Sequence, residues 1–335
     1  MKSWLAASLL LFSSSLVLAN EVNVYSAREE QLIKPLLDAF SKDTGIKVNL
    51  ITSEDDPLLE RLKREGTNSP ADILITADAG RLGRAVDNNL LQPIQSEKLQ
   101  QAIPANLRDP ENRWFGLTSR ARVIFYDKSK VKASDLSTYE ALADPKWKGK
   151  ICIRSSGNIY NQSLLASMIE TNGAEKTETW AKGLVANFAR PPSGGDRDQI
   201  KAVAAGQCDI AVANTYYYAQ MLSGKDAAQK EAATKVTLFW PNQNDRGTHI
   251  NISGAGVTAS AKNKENAQKL LEYMVLDDAQ RWYSTTNGEF PVKPGIEPAD
   301  TLKQWGNFKS DAINLSILGK NNAEAVKIMD KVGWK

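Results

Sequence analysis

The chain has 335 residues, more than the ~250–300 that usually share one hydrophobic core, so two lobes are expected. Hydrophobic residues at 42% and charged residues at 24% describe an ordinary globular protein. A formal charge of only +3 gives no reason to expect nucleic acid or an anionic membrane as a partner.

The N-terminus reads as an export leader. Lys2 precedes an apolar stretch over 5–12, then serines, then Val17-Leu18-Ala19 before Asn20, so residues 1–19 are expected to be a cleaved signal peptide. The apolar stretch is well short of the ~18 residues that span a bilayer, and no cysteine follows the cleavage point to carry a lipid. The mature chain is expected to be soluble and exported.

Strands and helices then alternate. A short strand over 22–25 leads through Ser26-Ala27-Arg28 into an amphipathic helix with Leu32, Ile33, Leu36, Leu37 and Phe40 on one face. Residues 46–50 alternate with period two, 58–64 are helical and end at Gly66, and Ser69-Pro70-Ala71-Asp72 launches a buried strand over 73–75. A further helix covers 80–91. This alternation predicts an open, largely parallel α/β sheet with sites at strand C-termini. Two long extended segments, 114–126 with Arg120 and Arg122, and 250–257, have the length to cross between lobes. They predict a first lobe of 20–120 with 250–290 and a second of 121–249 with 291–335. The pattern over 264–283 reads as one helix of the first lobe.

Tyrosines concentrate where two strands end. The apolar run 209–213 and the pair Asn214-Thr215, read as an exit into a loop, lead to Tyr216-Tyr217-Tyr218, and the strand 151–153 opens through Arg154, Ser155, Ser156 and Gly157 to Tyr160. A phenolate is a hard anionic donor, but a free phenol has a pKa of roughly 10. Only a strongly Lewis-acidic cation such as Fe(III) would hold several deprotonated at neutral pH. The alternative is aromatic packing or a sugar-type stacking surface. Cys152 and Cys208, the only cysteines, precede Tyr160 and Tyr216 by equal intervals. An oxidising compartment permits a disulfide between them, and a buried free pair is the alternative.

These stretches resemble a known family, the periplasmic ferric-iron-binding proteins of ABC importers, and within it the tyrosine-rich, cyanobacterial-type branch. The likeness covers essentially the whole mature chain. It is carried by Val24-Tyr25-Ser26-Ala27-Arg28, Thr44-Gly45-Ile46-Lys47-Val48, Ser69-Pro70-Ala71-Asp72 and Asp144-Pro145-Lys146-Trp147-Lys148-Gly149, then by Tyr160-Asn161-Gln162-Ser163, Asn214-Thr215-Tyr216-Tyr217 and Ser253-Gly254. The resemblance implies a type II two-lobe periplasmic-binding-protein fold, each lobe an open mixed sheet flanked by helices, with the cleft between them. It implies Tyr160, Tyr216 and Tyr217 as phenolate ligands of Fe(III), with Fe(II) also open as cargo, and Tyr218 as a packing or neighbouring residue. A monomer in the periplasm is implied, delivering to an inner-membrane permease with a cytoplasmic ATPase.

The first lobe departs from the family pattern. Glu29-Glu30 stand where a histidine or histidine-tyrosine is usual, and Ala77, beside Asp78, stands where some members have a carboxylate. Three readings are open. Glu29 or Glu30 ligates; or a synergistic anion such as carbonate completes the sphere against Arg120, whose planar fork suits it; or the two glutamates are the solvated first turn of a helix. Ser156, Asn214, Tyr218 and Asp78 are further candidates for contact with the anion or the ligands.

No enzyme is expected. The single histidine, His249, has no motif around it and reads as a hinge or loop residue, and two cysteines with one histidine do not make a zinc site. The rival function is the same scaffold binding an organic cation of thiamine type through aromatic walls, or a small anion.

Overall fold

The computed structural model describes residues 20–335, and the leader assigned to 1–19 lies outside them. No helix among the described residues is long and apolar enough to cross a membrane. The strands are β1 (Glu21–Ser26), β2 (Lys47–Thr52), β3 (Ile73–Ala77), β4 (Phe115–Asp127), β5 (Ile151–Cys152), β6 (Ile210–Asn214), β7 (Val236–Phe239), β8 (Ile250–Val257) and β9 (Phe290–Pro291). They run β2-β1-β3-β8-β4-β6-β5, with β7 and β9 also on β4. The pairs β1–β2, β1–β3 and β5–β6 are parallel, while β8 and β4 run antiparallel to their neighbours.

β4 divides its partners sharply. From Phe115 to Ala121 it pairs with β8, and from Arg122 to Tyr126 with β6. One strand therefore belongs to two sheets and joins two lobes, each with its own helices. The crossing is pinned from the side. His249 closes it by accepting from the Arg122 amide at 3.0 Å, and its own amide donates to Tyr139 Oη at 3.1 Å, whose hydroxyl in turn donates to the Arg122 carbonyl. Buried among Arg246, Arg122 and Arg120, the His249 imidazole has its pKa pushed down to about 3, first by burial and then by those charges, so it is neutral.

Two expectations need correction. The segment 264–283 is not one helix but two, Lys264–Met274 and Asp277–Asn287, because Leu276 is extended (φ −65°, ψ 153°). Asp277 and Asp278 favour a fresh N-terminus there, where negative charge meets the helix dipole. Nor is there a loop after β6: Asn214 is extended and the helix Thr215–Ser223 starts at the next residue.

One helix of the C-terminal segment, a segment expected in the second lobe, also touches a helix that the same reading gives to the first. The helix Ser316–Lys320 packs on Ala79–Asp87 of the first lobe and on Ile159–Asn172 of the second. Its contact is backbone to backbone: a Cβ built on Gly319 would lie 2.8 Å from the Gly83 Cα. Gly319→Val is expected to destabilise the protein by about 1–3 kcal/mol, the usual cost of overpacking. A urea-unfolding midpoint equal to that of the wild type would contradict this contact.

Candidate metal centre

β5 and β6 are adjacent and parallel, so both end at the same edge, and each is followed by a helix whose first turn carries the tyrosines. Tyr160 lies in the first turn of Ile159–Asn172, where Asn158 Oδ1 accepts from the Tyr160 amide at 3.2 Å. Tyr216 and Tyr217 lie in the first turn of Thr215–Ser223. Cys152 on β5 and Cys208, just before β6, form a disulfide with Cα atoms 5.9 Å apart. The first turns of two helices thus meet at one crevice, where the partial positive charge of a helix N-terminus favours an anionic oxygen.

The phenols meet there. Tyr160 and Tyr216 hydroxyls are 3.2 Å apart, and the Tyr216 and Tyr217 rings lie 4.1 Å apart, tilted by 33°. They wall a cavity of about 150 Å³ closed on the first-lobe side by Ala27, Arg28, Glu29, Asp55, Ala77 and Glu289. Guanidinium groups surround the rings. Arg120 lies 5.9 Å and 5.8 Å from the centroids of Tyr160 and Tyr216, Arg154 lies 5.6 Å from Tyr160, and Arg197 lies 4.8 Å from Tyr217. Larger cavities of about 670 and 640 Å³ exist elsewhere, but neither brings two phenols together. No tryptophan lines the tyrosine cavity.

Of the other residues singled out in the sequence, Arg120 lines the cavity and Glu29 stands exposed at its rim, whereas Glu30 does not line it. Asp78, Ser156, Asn214 and Tyr218 do not line it either. Asp78 is buried and caps a helix, accepting from the Gly80 amide at 2.8 Å and from Ser163 Oγ at 2.6 Å. The Ser156 carbonyl takes Gln162 at 2.9 Å, and Asn214 Oδ1 takes Arg122 at 3.0 Å. Tyr218 is core: its hydroxyl donates to the Val236 carbonyl at 3.0 Å and its ring packs on Phe125 and Trp305.

Sequence reasoning passed over the charged wall. Arg28 makes a forked pair with Glu289, Nη2 to Oε2 at 2.8 Å and Nη1 to Oε1 at 3.2 Å, beside Ser253. Burial opposes charge on both, yet each holds the other ionised: the Arg28 pKa is raised by Glu289, and the Glu289 pKa is lowered by Arg28 and then Arg120. Arg28 stood in one of the family-like stretches, but nothing in the sequence pointed to Glu289 so far along the chain. Leu32, Arg197 and Gln220 complete the lining.

Burial pushes the Tyr216 phenol well up, and so does the nearness of Tyr160 and Tyr217; Arg120 opposes this. Tyr217 is raised by burial, then by Tyr160 and Asp196. Both are neutral phenols at pH 7 without a cation. Among the described residues no group of three or more His, Cys, Asp or Glu side chains could hold a metal, so phenol oxygens are the clustered donors. Such a set suits a hard, highly charged cation able to displace phenolic protons.

Comparison with known proteins agrees with this chemistry. Residues 36–310 match the family described as bacterial extracellular solute-binding protein. Iron uptake protein A1 of Synechocystis is 51% identical over 94% of this chain and 88% of its own length. The Fe(3+)-binding periplasmic protein of Serratia marcescens is 30% identical over 98% of this chain and 96% of its own. A Trichodesmium protein solved in complex with iron and citrate ligands superposes with a TM-score of 0.92 at 56% identity, covering 94% of this chain and all of that one.

In metal-free protein, ultraviolet titration should show Tyr216 and Tyr217 among a late-ionising set of phenols. Tyr160→Phe is expected to move part of that late absorbance to lower pH by removing a neighbouring negative charge. An unchanged titration curve would mean that the three phenols do not feel one another.

Proposed function

The chain belongs to the bacterial extracellular solute-binding proteins, in their ferric-iron-binding, cyanobacterial-type branch, and from that premise we propose how it holds its cargo. It is a two-lobe, type II binding protein that captures Fe(III) in the interlobe cleft for an ABC importer. The phenolates of Tyr160, Tyr216 and Tyr217 are the protein ligands. The observation that carries this is the meeting of their side chains at two helix N-termini.

Three phenolates balance the three positive charges of Fe(III), leaving the surrounding guanidinium groups to attract one more anion. A carbonate or a carboxylate of citrate type fills the remaining positions against Arg120, whose Nε is buried without a partner. Fe(II) is a weaker Lewis acid and holds phenolates less well, so the ferric ion is the favoured cargo. Glu29 stays at the solvated rim and Glu30 outside it. The organic-cation reading fares worse, since a cavity of about 150 Å³ is below the ~300 Å³ typical of organic-ligand pockets.

Capture proceeds by closure. The lobes, assigned as 20–120 with 250–290 and 121–249 with 291–335, turn about the crossing of β4 and β8. The helix Ser316–Lys320 packs against a helix of each. Export by the 1–19 leader places the protein in the periplasm as a monomer, where the loaded form docks on a permease served by a cytoplasmic ATPase.

The test is a visible absorption scan before and after ferric citrate. A broad phenolate-to-iron band is expected, with Tyr160→Phe or Tyr217→Phe losing most of it and weakening iron binding by more than about 100-fold, the scale of removing one member of a buried charge pair. A folded protein with a flat spectrum would sink the ferric reading. Glu29→Gln should leave the band in place. Affinity should also fall on acidification: a phenol is protonated near pH 7, so three phenolate ligands mean that iron displaces three protons, costing about 1,000-fold per pH unit, and the raised pKa values of Tyr216 and Tyr217 keep this true well above pH 8. A pH-independent affinity between pH 6 and 8 would contradict phenolate ligation.

A further inference from the structure

Both tyrosine-bearing helices are tied to one buried side chain that touches neither the cavity nor the phenols. Arg122, on the second-lobe half of β4, is 2% exposed and pairs at 3.2 Å with Asp196, which is fully buried. Its Nη2 donates to Asn161 Oδ1 at 2.6 Å, and Asn161 directly follows Tyr160. Its Nη1 donates to Asn214 Oδ1 at 3.0 Å, and Asn214 ends β6 two residues before Tyr216. Asp196 Oδ2 also accepts from the Asn214 amide at 2.7 Å. Asn161 Nδ2 in turn holds the loop before Tyr160, donating to the carbonyls of Arg154 at 2.8 Å and Ser155 at 3.1 Å.

We propose that Arg122, through Asn161 on one side and Asn214 with Asp196 on the other, is a positioning residue that sets the separation of Tyr160 from Tyr216 and Tyr217 at the iron centre. The inference rests on the ferric reading above. A guanidinium suits the task because its rigid fork fixes the directions of several hydrogen bonds at once, which an ammonium on a flexible stem does not. It also neutralises Asp196, whose charge opposes ionisation of Tyr216 and Tyr217. Iron would feel an error in phenol spacing directly, because ligands must be held within ~0.5 Å of the productive geometry.

The experiment compares wild type, Asn161→Ala, Arg122→Lys and a control, Thr258→Val, which removes a buried hydrogen bond to the Ala71 carbonyl in the first lobe. Each is loaded with Fe(III); the visible band, the rate of iron loss to excess citrate and the urea midpoint are read. Asn161→Ala and Arg122→Lys are expected to shift the band and speed iron loss by roughly 10-fold, the scale of disturbing an outer-shell partner. Thr258→Val should lower only the urea midpoint. If Arg122→Lys does not fold, Asn161→Ala decides alone, since it leaves the Arg122–Asp196 pair in place. An Asn161→Ala protein with wild-type band and release rate, or a control that shifts them equally, overturns the inference and leaves the ferric reading standing. A wild type that takes up no iron overturns both.

Discussion

Phenol oxygens packed together in a half-buried crevice cannot all ionise near neutral pH unless a cation lies among them. Tyr160 and Tyr216 stand 3.2 Å apart, and burial together with mutual repulsion holds the protons on Tyr216 and Tyr217. Much of the rest of the site follows from that condition. Helix N-termini supply partial positive charge on one side, and the arginines supply full charges around the rings. Those charges do not replace a metal, because a guanidinium several ångströms from a ring centroid lowers the cost of a phenolate without binding its oxygen.

Bringing the phenols together is the task of the second lobe. Parallel neighbours β5 and β6 deliver both helices to one edge, and the disulfide adds a covalent tie beside them. The exchange of β4 partners at Ala121 and Arg122 adds a second consequence. Arg120 and Arg122 lie two apart on one strand and so on the same face, yet they fall on opposite sides of that exchange. Arg120 faces the cavity, while Arg122 is enclosed among the residues that hold the helices.

With the three phenols taken as the ligands proposed above, the first lobe is left to contribute charge. Its forked Arg28–Glu289 pair and the exposed Glu29 line the cavity wall, and Ala77 offers no oxygen from its side chain. A buried ion pair of this kind is weak support for stability but holds a guanidinium in a fixed place. That suits a wall meant to meet an anion rather than to bind the metal itself.

How much of this was legible follows from the range of the interactions. Periodicity marked most strands and helices, because a buried face repeats every second or every third to fourth residue within a few turns. It missed the break at Leu276, where a change of backbone angle leaves the apolar pattern nearly intact. It also could not sort the three consecutive tyrosines. On a helix each step turns about 100°, so Tyr216 and Tyr217 face the cavity while Tyr218 faces Phe125 in the core. That difference depends on a helix beginning at Thr215, with Asn214, a favoured N-cap residue type, standing where the sequence reads as an exit into a loop. The sequence by itself determined the chemistry available: clustered phenols, a single histidine, and two cysteines free to pair. Only the tertiary structure decided which groups share the cavity, because Arg28 and Glu289 meet across nearly the whole chain and Asn214 turns to Arg122 instead of the cleft. Contacts between distant segments depend on how the sheet crosses from lobe to lobe, and no short stretch of sequence encodes that.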